Sequence, residues 1–182
     1  MRAVAFIAGC GALIAIACAL VGCGGSGMQP PPGDAMLTVG TAAAPDGSGW
    51  AALDGDATLV PGAQGGFHIW LKYRVAGMAP EKVKVHRESH RVSDDALVLL
   101  TDGTQDVGAP APGNDGWWEL PQALPSFMCP TPIGINVIDE RIVFEVTLST
   151  MDDQPLAKSS AEATVHCPDG TQAPFCAKIC SG

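Results

Sequence analysis

The chain has 182 residues, of which 47% are hydrophobic, 16% charged and 5% aromatic, with 10 basic and 19 acidic side chains and a net charge of −9. That balance excludes a protein held on nucleic acid or an anionic membrane surface by its own charge, since both need a basic footprint. The length suits one domain with short appendages. In chain order, the first feature is an apolar segment: 18 of the first 22 residues are hydrophobic, and the run from Ala3 to Val21 is broken only by Gly9 and Gly11. One positive charge at Arg2, an apolar stretch and small closing residues predict a secretory signal over residues 1–22. A retained spanning anchor is the alternative for a run of this length.

The residues that close the run distinguish the two. Leu20-Val21-Gly22-Cys23 resembles the lipobox of bacterial lipoproteins. The resemblance implies cleavage after Gly22 and acylation of Cys23. Gly24, rather than Asp, in the second mature position implies passage to the outer membrane. Buried acyl chains at about 0.8 kcal/mol per methylene hold a domain firmly without a spanning helix. Residues 24–35, rich in Gly and Ser and carrying Pro30, Pro31 and Pro32, read as a tether. Its root-mean-square reach is on the order of 20 Å.

From residue 36 onward, short runs of period-two hydrophobicity alternate with Gly and Pro clusters, and no segment keeps a helical period over three turns. The spacing predicts strands at Met36–Ala42, Ala57–Val60, Phe67–Ala76, around Val83 and Val85, at Ala96–Thr101, Gly116–Leu120, Arg141–Thr150 and Lys158–Cys167. In Phe67–Ala76, Phe67, Ile69, Leu71, Tyr73 and Val75 share one face, while His68, Trp70, Lys72 and Arg74 share the other. The last two strands predict a hairpin with Phe144 opposite Ala163, Ile142 opposite Val165, and a turn over Met151–Leu156. This pattern predicts an all-β, antiparallel sandwich of about seven strands, of immunoglobulin or fibronectin type III kind, over residues 36–170. A lipocalin-like barrel would need longer strands. Residues 171–182 read as a cysteine-containing tail.

Cys10 and Cys18 leave with the signal and Cys23 carries lipid, so Cys129, Cys167, Cys176 and Cys180 remain. Four cysteines in an exported domain predict two disulfides, with three connectivities open to them. The favoured pairing is Cys129–Cys167 with Cys176–Cys180. A zinc site built from these four is disfavoured by their spacing.

Phe67–Arg91 contains six basic residues against Glu81 and Glu88 on an otherwise acidic chain. An exposed face bearing His68, Trp70, Lys72 and Arg74, with Lys84, is the candidate surface for an envelope protein, a glycan or lipopolysaccharide. Paired internally, the same charges would form only a screened surface. The alternative is a periplasmic copper or zinc site joining His68 to His86, Glu88 or His90. His86-Arg87-Glu88-Ser89-His90 lacks the glutamate position of a His-Glu-x-x-His helix, but on a strand its first, third and fifth residues share a face. No nucleophile elbow or phosphate loop is present, so no enzyme activity and no cofactor are expected.

Gln64-Gly65-Gly66-Phe67-His68-Ile69-Trp70 resembles a segment of uncharacterised exported bacterial lipoproteins that end in a cysteine-rich tail. The resemblance covers the middle strand and the last fifteen or so residues. It implies fold and location and carries no activity. The expectation is therefore a lipid-anchored envelope protein with a non-catalytic binding or structural β-sandwich and no nucleic-acid partner.

Overall fold

The computed structural model describes residues 35–78, 82–107, 109–110, 116–120, 122–131 and 134–182. The signal, Cys23 and nearly all of the tether lie outside the described residues. The protein is an all-β sandwich of two sheets.

The first sheet holds β1 (Met36–Thr41), β2 (Ala51–Ala52), β4 (Val60–Pro61), β5 (Phe67–Ala76), β8 (Ala109–Pro110), β9 (Trp117–Glu119) and β10 (Leu124–Cys129). The second holds β3 (Gly55–Thr58), β6 (Lys82–Arg91), β7 (Ala96–Asp106), β11 (Arg141–Ser149) and β12 (Pro155–His166), in the order β3-β12-β11-β6-β7. Every ladder among the described residues is antiparallel except β3 with β12. The strands thus outnumber the expected seven, chiefly through two-residue pieces and β10.

Strand alternation sets the core. Phe67, Ile69, Leu71, Tyr73 and Val75 of β5 face Val83 and Val85 of β6, Ile142, Phe144, Val146 and Leu148 of β11, and Ala163 and Val165 of β12, all at most 2% exposed. Each Phe, Leu, Ile or Val among them contributes about 1.5–3 kcal/mol when fully buried.

The β11–β12 hairpin forms with the expected faces but a different register. Phe144 lies opposite Ala161 and Ile142 opposite Ala163, two residues from the expected pairing. The turn is shorter than expected: the Thr150 amide donates to the Gln154 carbonyl, and β12 starts at Pro155. An even slip leaves the inward set inward, which is why alternation cannot detect it.

The segment 171–182 is more than a tail. A single 3₁₀ turn (Gly170–Gln172) leads into α1 (Ala173–Cys180), whose proline sits in the first turn, where its missing amide costs nothing. Cys176 and Cys180, one turn apart, share the buried face of α1. Cys180 bonds to Cys129 at the end of β10, and Cys176 bonds to Cys167 just beyond β12. This corrects the expected Cys129–Cys167 and Cys176–Cys180 pairs: α1 lies across the end of the sandwich, and each of its cysteines reaches a different sheet.

Candidate functional site

The outer face of the first sheet carries His68, Trp70, Lys72 and Arg74, as alternation requires, but it is not an open surface. The loop between β1 and β2 folds back over it. Trp70 Nε1 donates to the Pro45 carbonyl at 2.8 Å. The Trp50 ring occupies the space that a Cβ on Gly40 would need, within 2.6 Å. The Arg74 guanidinium stacks 4.3 Å from the Trp50 ring centroid.

Beneath this cover Lys72 is only 3% exposed. Its ammonium is bonded to Glu119 Oε1, while Arg74 donates from Nε and Nη2 to Glu119 Oε2 at 2.9 and 2.8 Å. Burial pushes the Glu119 carboxyl up, but the bonds from the two cations outweigh it and leave the net value lowered. Lys84 lies on the outer face of the second sheet, on the opposite side of the molecule, paired with Asp153 at 2.6 Å. The expected single face of His68, Trp70, Lys72, Arg74 and Lys84 therefore does not exist. His68 and Lys72 are buried, and Lys84 belongs to the other sheet.

The metal alternative meets the same obstacle. His86, Glu88 and His90 project from the outer face of the second sheet, and His68 from the outer face of the first, so the whole core separates them. Stacked sheets lie about 10 Å apart before any side chain is added. Among the described residues no group of three or more His, Cys, Asp or Glu is placed to hold a metal ion.

Instead, His86 joins a row of alternating carboxylates and imidazoles. Its Nδ1 lies 2.7 Å from Asp102 Oδ1 and its Nε2 2.9 Å from Glu88 Oε1. Glu88 Oε2 is 3.5 Å from His90 Nε2, and His90 Nδ1 is 3.4 Å from Asp95. With a carboxylate at each ring nitrogen, His86 is best satisfied as an imidazolium, and bonding to Asp102 and then Glu88 raises its pKa. The bond to His86 in turn holds Glu88 low. His68 is the opposite case. Wedged against Trp70 and Phe127, it has no hydrogen-bond partner at either ring nitrogen among the described residues, and burial lowers its pKa.

A further polar group lies at the end of the sandwich that carries α1. His166, the last residue of β12, bridges Asp56 of β3 (3.0 Å) and Asp139 (2.8 Å), which adopts a left-handed φ of 57°. Bonding to Asp56 and then Asp139 raises the His166 pKa. Asp56 also borders a cleft of about 330 Å³ between the β1–β2 loop, the β3–β4 segment and Trp70. Phe127 and Phe175 stand about half exposed towards the same end.

Sequence reasoning passed over His166 and Arg87. Nothing local marks His166, whose partners are 110 and 27 residues away. Arg87 was legible: the alternation that turns His86 and Glu88 outward turns it inward. No family model matches this chain, and no curated protein resembles it closely enough to count as a relative.

Proposed function

We propose that the protein is an exported, lipid-anchored envelope module whose β-sandwich binds or scaffolds a partner, without catalysis, through the end that carries α1. The observation behind this is a register. Met36, the first strand residue after the tether, pairs with Ala76 at the end of β5, whereas Cys129 and Phe175 sit at its start beside Phe67. Ten residues of strand separate these ends by roughly 30 Å. Lipid on Cys23 and the tether would hold the Met36 end near the bilayer and hold out the α1 end, with its cleft and half-exposed aromatic rings.

Charge pairing narrows the partner. Lys72 and Arg74 are held by Glu119, Lys84 by Asp153 and Arg91 by Asp94. These four cations are thus already engaged and α1 itself carries a single exposed lysine, Lys178, which favours an envelope protein or glycan over a polyphosphate headgroup. Trp70 in the cleft lining and the half-exposed Phe127 and Phe175 at the same end suit either.

Two measurements test this. Intact mass of membrane-extracted protein should show a chain beginning at acylated Cys23, and Cys23→Ser should move the protein from the detergent phase to the aqueous phase. A photo-crosslinker at Phe175 should then capture a partner that the same group at Met151 does not. Membrane retention of Cys23→Ser, or equal capture from both positions, overturns the proposal.

A further inference from the structure

The interior of the sandwich is not wholly apolar. Arg87 and Ser89 point inward between the valines of β6 and the core of the first sheet. Arg87 lies opposite Thr101 of β7, and its Nη1 donates to the Pro125 carbonyl of β10 at 3.3 Å. Ser126, next to Pro125, is fully buried, as is Tyr73 on β5. The hydroxyls of Tyr73, Ser89, Thr101 and Ser126 are buried and have no hydrogen-bond partner among the described residues. Arg87 forms no ion pair with a carboxylate among those residues, and desolvation pushes its pKa down.

Five polar side chains from both sheets thus face the interior near the edge where β7 approaches β10, and every one of them can donate. A part-buried guanidinium with one long bond to a carbonyl and no carboxylate beside it among the described residues is a poor arrangement unless something negative joins it. Unpaired buried hydroxyls carry their own desolvation cost. Water could satisfy the hydroxyls but would not neutralise the charge. A planar carboxylate neutralises the charge, because its two oxygens match the fork of the guanidinium, and it keeps acceptor positions for two of the hydroxyls.

We propose that this cluster is a binding site for the carboxylate group of a small organic monoacid, gripped by the fork of Arg87 and bonded at its two remaining acceptor positions by the hydroxyls of Tyr73 and Ser126. One fixed positive charge suits one negative charge. Burial keeps the Tyr73 hydroxyl protonated, so it remains a donor. The route in is the cleft of about 470 Å³ lined by Trp70, Gln105, Asp106 and Gln122 to Pro125, which shares Pro125 with the site. Asp106 on that rim repels a dianion such as phosphate more strongly than a monoanion. The site does not depend on lipid anchoring or on the partner surface at the α1 end.

The test uses the full-length protein in detergent, titrated with sodium acetate at constant ionic strength by calorimetry and thermal melting. Acetate should raise the melting temperature saturably, whereas acetamide, of the same shape but uncharged, and chloride should not. Arg87→Met should abolish the response, and Ser126→Ala and Tyr73→Phe should each weaken acetate binding severalfold. Arg87→Lys should weaken it about tenfold, since the fork is lost while the charge stays. No response to acetate overturns the proposal. So does a response that chloride reproduces, or one that survives in Arg87→Met. Should Arg87→Met fail to fold, unchanged acetate affinity in both Ser126→Ala and Tyr73→Phe overturns it equally.

Discussion

Glu119 meets the Lys72 ammonium beneath the β1–β2 loop with both side chains more than nine-tenths buried. Two cations share this carboxylate, so its loss and the loss of either cation are not equivalent. Glu119→Gln leaves a buried lysine and a part-buried arginine facing each other and should cost about 3–5 kcal/mol in urea unfolding. Lys72→Met leaves Glu119 with both Arg74 bonds and should cost only about 1 kcal/mol. Because the folded Glu119 value is depressed, its contribution is present above the unfolded carboxyl pKa, near 4.3, and is lost as pH falls through the folded value. Glu119→Gln should flatten that part of the acid unfolding curve.

The faces of the strands were legible in the sequence, but what lies over them was not. Strict alternation in Phe67–Ala76 assigns Lys72 and Trp70 outward correctly. The cover above them comes from Trp50, whose place depends on a missing side chain at Gly40, and no period records that contact. β10 escaped because Leu124-Pro125-Ser126-Phe127-Met128-Cys129 does not alternate and contains a proline, which an edge position tolerates. The cysteine pairing failed because α1 spans only two turns, too short for a helical period to stand out from a Gly- and Pro-rich chain.

The histidines should titrate in opposite directions. By nuclear magnetic resonance, His86 and His166, each between two carboxylates, should titrate above the ordinary imidazole value near 6.5, and His68, desolvated by burial, below it. For His86 and His166 the stabilisation is complete below pH 6.5 and fades as pH rises through their folded values. For His68 the sign reverses, because the unfolded chain takes up the proton first, so stability falls as pH drops below 6.5. Asp56→Asn should lower the His166 value and leave those of His86 and His68 in place.

Gly40 should tolerate no side chain. A Cβ there would stand 2.6 Å from both the Trp50 ring and the Ala51 carbonyl, and a backbone oxygen cannot swing aside. Gly40→Ala should therefore displace Trp50, expose Lys72 and cost about 1–3 kcal/mol. Tryptophan fluorescence should shift to the red, and proteolysis within the β1–β2 loop should accelerate. Gly103, whose added Cβ would meet nothing within 4 Å, is the matched control and should melt like the parent as Gly103→Ala.

The two disulfides should differ in weight because they close loops of different length. Cys129–Cys180 spans 51 residues and Cys167–Cys176 spans nine. From loop entropy alone, removing the first should cost about 4 kcal/mol and the second about 2.5 kcal/mol. Peptide mapping without reduction should recover Cys129 joined to Cys180, and a fragment joining Cys129 to Cys167 would contradict the fold described. The Sγ atoms of Cys176 and Cys180 stand 3.8 Å apart, so the two bridges touch within the buried face of α1. The double variant Cys129→Ala/Cys180→Ala should therefore keep Cys167–Cys176 and hold α1 by that bridge alone. Losing both bridges should release α1, uncover Phe67 beneath Phe175, and open the end of the sandwich to proteolysis well before the strands unfold.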